Sequence, residues 1–171
     1  MKIFGPNSLS HFLFYISRLC TIASITLIAF ILISLFVGNY EIVNNQFQIS
    51  LPIFSSTFIR AAYQPQHIIT ITLVMLFFSI FFYLVSNIFK TFKEPKLFTD
   101  SAIKQLNYFA FLNLIVAPLL FLTIDFFIME KQQIGNIFNY LLTFLLGIFL
   151  LFIAAIFKQG YQVQHENDLT I

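Results

Sequence analysis

Four apolar runs, Leu19–Val37, Ile68–Phe89, Phe109–Ile128 and Ile137–Phe157, dominate the chain. Each approaches the roughly 20 residues a helix needs to cross a bilayer. Lipid offers no partner to a backbone N–H or carbonyl, so a run of that length in lipid closes its own hydrogen bonds as a helix. The fold class that follows is an all-α membrane protein. Its expected form is a four-transmembrane-helix bundle, a single domain over residues 1–171, with a small extracytoplasmic β-hairpin between helices 1 and 2. Charged residues make up only 9% of the 171, against about 25% in a soluble domain. So few charges cannot cover a water-exposed surface, and most of this surface must face lipid.

The first run lies near the N-terminus, where a cleavable leader has to be considered. Its apolar core is longer than the roughly 7–15 residues of a leader, it lacks a small-x-small exit, and three further runs follow. A retained helix is expected. Pro6 and Asn7 are turn formers, Ser8 suits an N-cap, and His11–Ser17 suit an amphipathic lead-in.

Lysine and arginine give the direction. Lys2, Arg18, Lys90, Lys93, Lys96, Lys104 and Lys158 fall on one side of the alternating spans, and only Arg60 and Lys131 on the other. The positive-inside rule then places both termini in the cytoplasm, with residues 158–171 as a short cytoplasmic tail. A net charge of +2 gives no case for direct binding of nucleic acid. The lipid bilayer is the partner that composition itself requires.

The longest outer segment is Gly38–His67. Tyr40–Val43 and Gln46–Leu51 flank Asn44-Asn45, and the second stretch alternates polar and apolar residues, the strand period. A hairpin is expected there. Pro52 and Pro65 close its far side, and Ser55–Tyr63 reads as a short helix on the membrane surface. The segment serves either as a packed cap over the helix ends or as a ligand-sensing surface. On the other side, Lys93-Glu94-Pro95-Lys96 should end the second helix, and Thr99-Asp100-Ser101 should start the third with an oxygen-bearing cap and an acid in its first turn.

Chemistry-bearing residues are few. Asp125 is the one acid inside a span, but it lies three residues from the outer end of its run, about 5 Å deep at the helical rise. It either pairs with Arg60 or Lys131 as an interfacial anchor or couples an ion or proton. Asn113 lies deeper on the same helix, and Pro118 should kink it. Asn113 and Asp125 together are the candidate intramembrane polar site. Ser17, Cys20, Thr21 and Ser24 form a small-residue stripe on the first helix, and Thr143, Gly147 and Ala154 another on the fourth. Such stripes let helices approach closely, which suggests a contact between helices 1 and 4 or a homodimer seam. The lone Cys20 excludes an internal disulfide. His11, His67 and His165 show no metal-ligand spacing, and no catalytic glycine loop or nucleophile motif is present. No enzyme activity, cofactor or metal is expected.

The tail, Gly160 to Ile171, contains Glu166-Asn167-Asp168-Leu169-Thr170-Ile171. This Glu-x-Asp-Leu-Thr-Ile ending resembles that of a bacterial family of small four-helix membrane proteins, domain of unknown function 2975. Phe98-Thr99 followed by Leu106 is similar to the family's segment opening the third helix, although Leu97 stands where proline is usual. The resemblance implies a multi-pass protein of the bacterial cytoplasmic (inner) membrane with no established activity. It also implies a neighbouring helix-turn-helix regulator as a cytoplasmic partner. In that role Gly160 would stop the fourth helix, and Glu166, Asp168, Leu169, Thr170 and Ile171 would dock the partner. The alternative is that the tail's acids fold back on the Lys90–Lys104 loop. A non-enzymatic regulator or sensor is the leading expectation. A small transporter or channel subunit, and a structural accessory subunit of a membrane complex, are the others.

Overall fold

A computed structural model describes residues 2–50, 57–135 and 137–169, with backbone alone for 57, 58 and 167–169. Pro52, Thr170 and Ile171, and the side chains of Asp168 and Leu169, lie outside the described residues. Helix α1 spans Leu9–Val37, and three strands follow: β1 (Glu41–Val43), β2 (Gln46–Ser50) and β3 (Thr57–Ala62). Helix α2 spans Pro65–Phe92, α3 runs over Asp100–Ile128, and α4 over Ile137–Leu169. All four helices are long and apolar enough to cross a membrane, and each contains one of the expected spans. The chain is a four-helix membrane protein with a small antiparallel sheet.

The helix ends follow from local chemistry. Ser8 occupies the N-cap of α1, but its hydroxyl donates to the Gly5 carbonyl at 2.6 Å instead of accepting from the helix. The carbonyls of Lys2 and Ile3 accept the Leu9 and Ser10 N–H groups in its place, meeting donors that a helix start otherwise leaves unpaired. Pro65 opens α2 at its first turn, where a missing N–H costs nothing. Thr99 caps α3 as expected, its hydroxyl accepting the Ala102 N–H at 3.2 Å, with Asp100 in the first turn.

The sheet order is β1-β2-β3, all antiparallel. Asn44 and Asn45 both take positive φ, +51° and +61°, the geometry of a tight hairpin turn. The expected helix over Ser55–Tyr63 is corrected: residues 57–62 form β3, and 55 and 56 lie outside the described residues. Its period is two, with Ile59 and Ala61 paired to Ile49 and Phe47 and Arg60 on the opposite face. Phe47 and Ile49 are fully buried against Ile31, Leu27, Phe30 and Ile68. Pairing with β2 and covering that cluster outweigh any local helical preference.

Packing runs chiefly between sequence neighbours: α1 on α2, α2 on α3, α3 on α4. This corrects the expected contact between helices 1 and 4. Ser17 and Thr21 are buried, and α1 lies along α2, which adds buried small residues of its own, Ser79 and Ser86. The stripe of α4 faces α3, because a Cβ on Gly147 would stand 2.4 Å from Leu114 Cγ. A sequential row of neighbours satisfies all four helices, so the stripes need not meet each other. The alternative, a homodimer seam, concerns surfaces outside this single chain.

At the lysine-rich end, the N-terminal segment, the α2–α3 turn and α4 converge. Gly5 N–H donates to the Phe92 carbonyl at 3.0 Å. The Phe92 ring meets Phe4 edge-on and stacks on Phe157, whose other neighbour is Phe98. The sheet lies at the opposite end, with the α3–α4 loop.

Candidate functional site

Helix α3 departs from regular α geometry twice. Leu112–Val116 and Thr123–Ile128 are π-helical turns. The first has a local cause. A proline lacks an N–H and its ring collides with the carbonyl four residues back, which for Pro118 is Leu114. Widening the preceding turn relieves that collision, and the Ala117 N–H then bonds the Leu112 carbonyl, five residues back. The expected kink at Pro118 is thus taken up as a π turn. Leu114 moves out against Gly147, while Asn113 is completely buried. Such turns often mark functional positions.

Asn113 and Asp125, one in each π turn, line the same cavity of about 520 Å³. Val74, Phe77, Phe78 and Phe81 of α2 form one wall, and Asn139, Tyr140, Thr143 and Leu146 of α4 the other. Helix α3 packs against both neighbours and supplies the floor. Phe78 and Leu142, at the rim, are exposed, so the crevice opens sideways between α2 and α4. At the lysine-rich end the same two helices are held together by the Phe92–Phe157 stack, with ring centres 5.3 Å apart.

The two polar residues differ in what they have left to offer. Asp125 is 7% exposed and has no free oxygen. Its Oδ1 accepts from Lys131 Nζ at 2.7 Å, and its Oδ2 accepts both the Gly135 N–H and the Tyr140 hydroxyl at 2.9 Å. Its carbonyl also accepts the Lys131 N–H at 2.9 Å. Of the two cations considered from sequence, Lys131 is the partner. Gly135 fits because a Cβ there would stand 2.6 Å from the carboxylate. Asp125 therefore clasps the α3–α4 loop to the start of α4.

Asn113 is the opposite case. Its Nδ2 donates to the Phe109 carbonyl at 2.8 Å, which fixes the amide orientation and leaves Oδ1 buried with no hydrogen-bond partner among the described residues. An unmet buried acceptor of this kind costs about 1–3 kcal/mol. Tyr140, Gly135 and the phenylalanine walls were not legible as site residues. They become so only when α4 folds back along α3, and no local spacing announces them.

The tail residues lie elsewhere. Gly160 does not stop α4, which is a correction: the helix continues to Leu169. A Cβ at Gly160 would meet the Phe98 ring at 2.6 Å, so glycine serves close packing on the α2–α3 turn. Beyond it, Tyr161–Val163, His165 and Glu166 are exposed. The tail is thus a projecting helix, and Glu166 does not line the cavity. Among the described residues, no three His, Cys, Asp or Glu side chains stand together as a metal site.

Four long apolar helices, sparse charge and a crevice between helices define a multi-pass membrane protein. A family model described as protein of unknown function (DUF2975) matches residues 48–171. The chain belongs to that family, and the matched stretch contains every residue lining the crevice. No curated protein and no solved structure matches it.

Proposed function

We propose that this protein is a non-enzymatic regulator of the bacterial cytoplasmic membrane, with the crevice as its input and the C-terminal helix as its output. The observation that carries this is the continuity of α4. One unbroken helix lines the crevice with Asn139, Tyr140 and Thr143 and then continues to Leu169, exposed at Tyr161–Val163, His165 and Glu166. Its 33 residues measure about 50 Å at the helical rise, well beyond the roughly 30 Å of hydrocarbon. A shift or rotation of α4 at the crevice is therefore carried to the tail.

The positive-inside rule supports a cytoplasmic tail, since the lysine-rich loop packs at the same end. A partner there would read Glu166, Asp168, Leu169, Thr170 and Ile171, and the family resemblance favours a small helix-turn-helix regulator. Transport through Asp125 is the weaker reading, because both oxygens of that carboxylate are already engaged.

The test is capture of cytosolic proteins by the full chain in nanodiscs, compared with a chain lacking residues 166–171. A partner held by the first and lost by the second supports the regulator. Identical capture by both, or altered ion flux in Asp125→Asn proteoliposomes, would turn the assignment towards an accessory subunit or a transporter.

A further inference from the structure

We infer that the crevice binds a compact, neutral ring compound carrying one hydroxyl or N–H donor, which it gives to Asn113 Oδ1. The inference names the ligand class for the input site proposed above and so rests on that reading. Asn113 is fully buried, its amide nitrogen is committed to the Phe109 carbonyl, and among the described residues its oxygen has no hydrogen-bond partner. An oxygen acceptor selects a donor.

Neutrality follows from the other polar end. Lys131, Gly135 and Tyr140 take three of the roughly four lone-pair sites of the Asp125 carboxylate, and Lys131 already balances its charge, so a ligand cation would have to displace Lys131. A ring follows from the walls. Phe77, Phe78, Phe81 and Phe121 line the space and already pair among themselves at tilted and edge-on angles, the arrangements in which another ring would join. The volume of about 520 Å³ falls within the range of small-molecule sites.

Two simpler occupants fit less well. An acyl chain would fill the space but leave Oδ1 unmet. A lone water needs two to four polar partners, and the hydroxyl proton of Thr143, in the α4 wall, is already given to the Asn139 and Tyr140 carbonyls. Asp125 lies twelve residues further along α3, about 18 Å at the helical rise. The sideways mouth admits what dissolves in a bilayer, as a neutral ring alcohol does.

The probe is 1-naphthol, read by its own fluorescence on the full chain in nanodiscs, with empty nanodiscs subtracted. The chain contains no tryptophan, so excitation to the red of tyrosine absorption reports the probe alone. A saturable component is expected, and naphthalene, the same ring system without the donor, should bind about fivefold to tenfold more weakly, as loss of one ordinary hydrogen bond implies. Asn113→Leu should erase that preference. Thr143→Phe, which keeps the acceptor but fills the space, should remove both ligands.

Equal binding of the two probes to the unaltered chain overturns the proposal without reliance on any variant. So does a preference that survives Asn113→Leu, the lack of a saturable component, or displacement of 1-naphthol by dioctanoylglycerol, which reassigns the crevice to lipid. Partner capture is measured on the same preparations. Failed ligand binding with intact tail-dependent capture rejects the ligand class alone, and the reverse result rejects the regulator alone.

Discussion

The hydroxyl of Tyr140, in the first turn of α4, donates to Asp125 Oδ2, near the end of α3, at 2.9 Å. That bond crosses the join between the two helices, and the Tyr140 ring also meets Phe121 edge-on at 5.5 Å. Tyr140→Phe keeps the ring and removes only the bond, so a loss of about 1 kcal/mol is expected. Asp125→Ala strands Lys131, Gly135 and Tyr140 together and should cost more, about 2–3 kcal/mol, with the ionic share reduced because Lys131 is half exposed. Unfolding in detergent measures both. Since the two residues share a network, the double variant should lose less than the sum of the singles. Strict additivity would show that the clasp does not act as a unit.

Gly147→Ala should destabilise the α3–α4 contact by about 1–3 kcal/mol, the usual range for overpacking. The new Cβ would meet Leu114 at 2.4 and 2.8 Å and its backbone nitrogen at 3.2 Å. Shortening the neighbour, in Gly147→Ala with Leu114→Ala, relieves the side-chain collision but not the backbone one. Partial recovery relative to Gly147→Ala is the expected result in the same unfolding measurement. A Gly147→Ala protein as stable as the parent would mean that the helices do not approach this closely.

How much of this was legible in the sequence depended on the range of the interaction. The four spans and the Thr99 cap are set by lipid and by the nearest peptide groups, and both were readable. So was the Asn44-Asn45 turn, whose positive φ values suit asparagine. Asn113 and Asp125 stood out as polar residues in apolar runs, but their common cavity did not. That required the π turn before Pro118 and the return of α4. Strand β3 and the continuation past Gly160 were missed for a related reason. In each, a distant surface, the β2 edge or the Phe98 ring, overrides the local signal.

The sheet offers a pH test outside the spans. Tyr40 and Tyr63 stack with ring centres 5.7 Å apart and share a hydrogen bond at 3.1 Å. That bond to Tyr63 is the main cause that raises the Tyr40 hydroxyl above the ordinary tyrosine range. A group raised in the folded state contributes fully below its unfolded value, and the contribution fades as pH climbs through the raised value. The contact should therefore be complete at neutral pH and weaken only in strong alkali. Tyr63→Phe should let Tyr40 ionise at lower pH, followed by ring-carbon NMR shifts of labelled tyrosine. An unchanged Tyr40 titration would remove the hydrogen bond as the cause.

Continuity of α4 through Gly160 gives the sharpest separation of input from output. The helical extension from 158 to 169 is at the short end of the roughly 12–15 residues around which isolated helices are marginal in water, so it depends on growth from the membrane span. Gly160→Pro removes an N–H and sets a ring against the carbonyl four residues back, at about 3 kcal/mol relative to alanine. The crevice would be left in place, since Gly160 lies nearly four turns beyond Leu146, the last crevice residue of α4, although the proline ring also presses on Phe98 in the lysine-rich loop. Spin labels placed at Gln162 and Glu166, four residues apart, should report the helical separation in the parent and a broader distribution in Gly160→Pro. Binding of 1-naphthol should be unchanged, whereas partner capture should fall. Capture that survived a broken helix would mean the tail acts as a bare peptide, and that α4 does not carry the signal as a rigid rod.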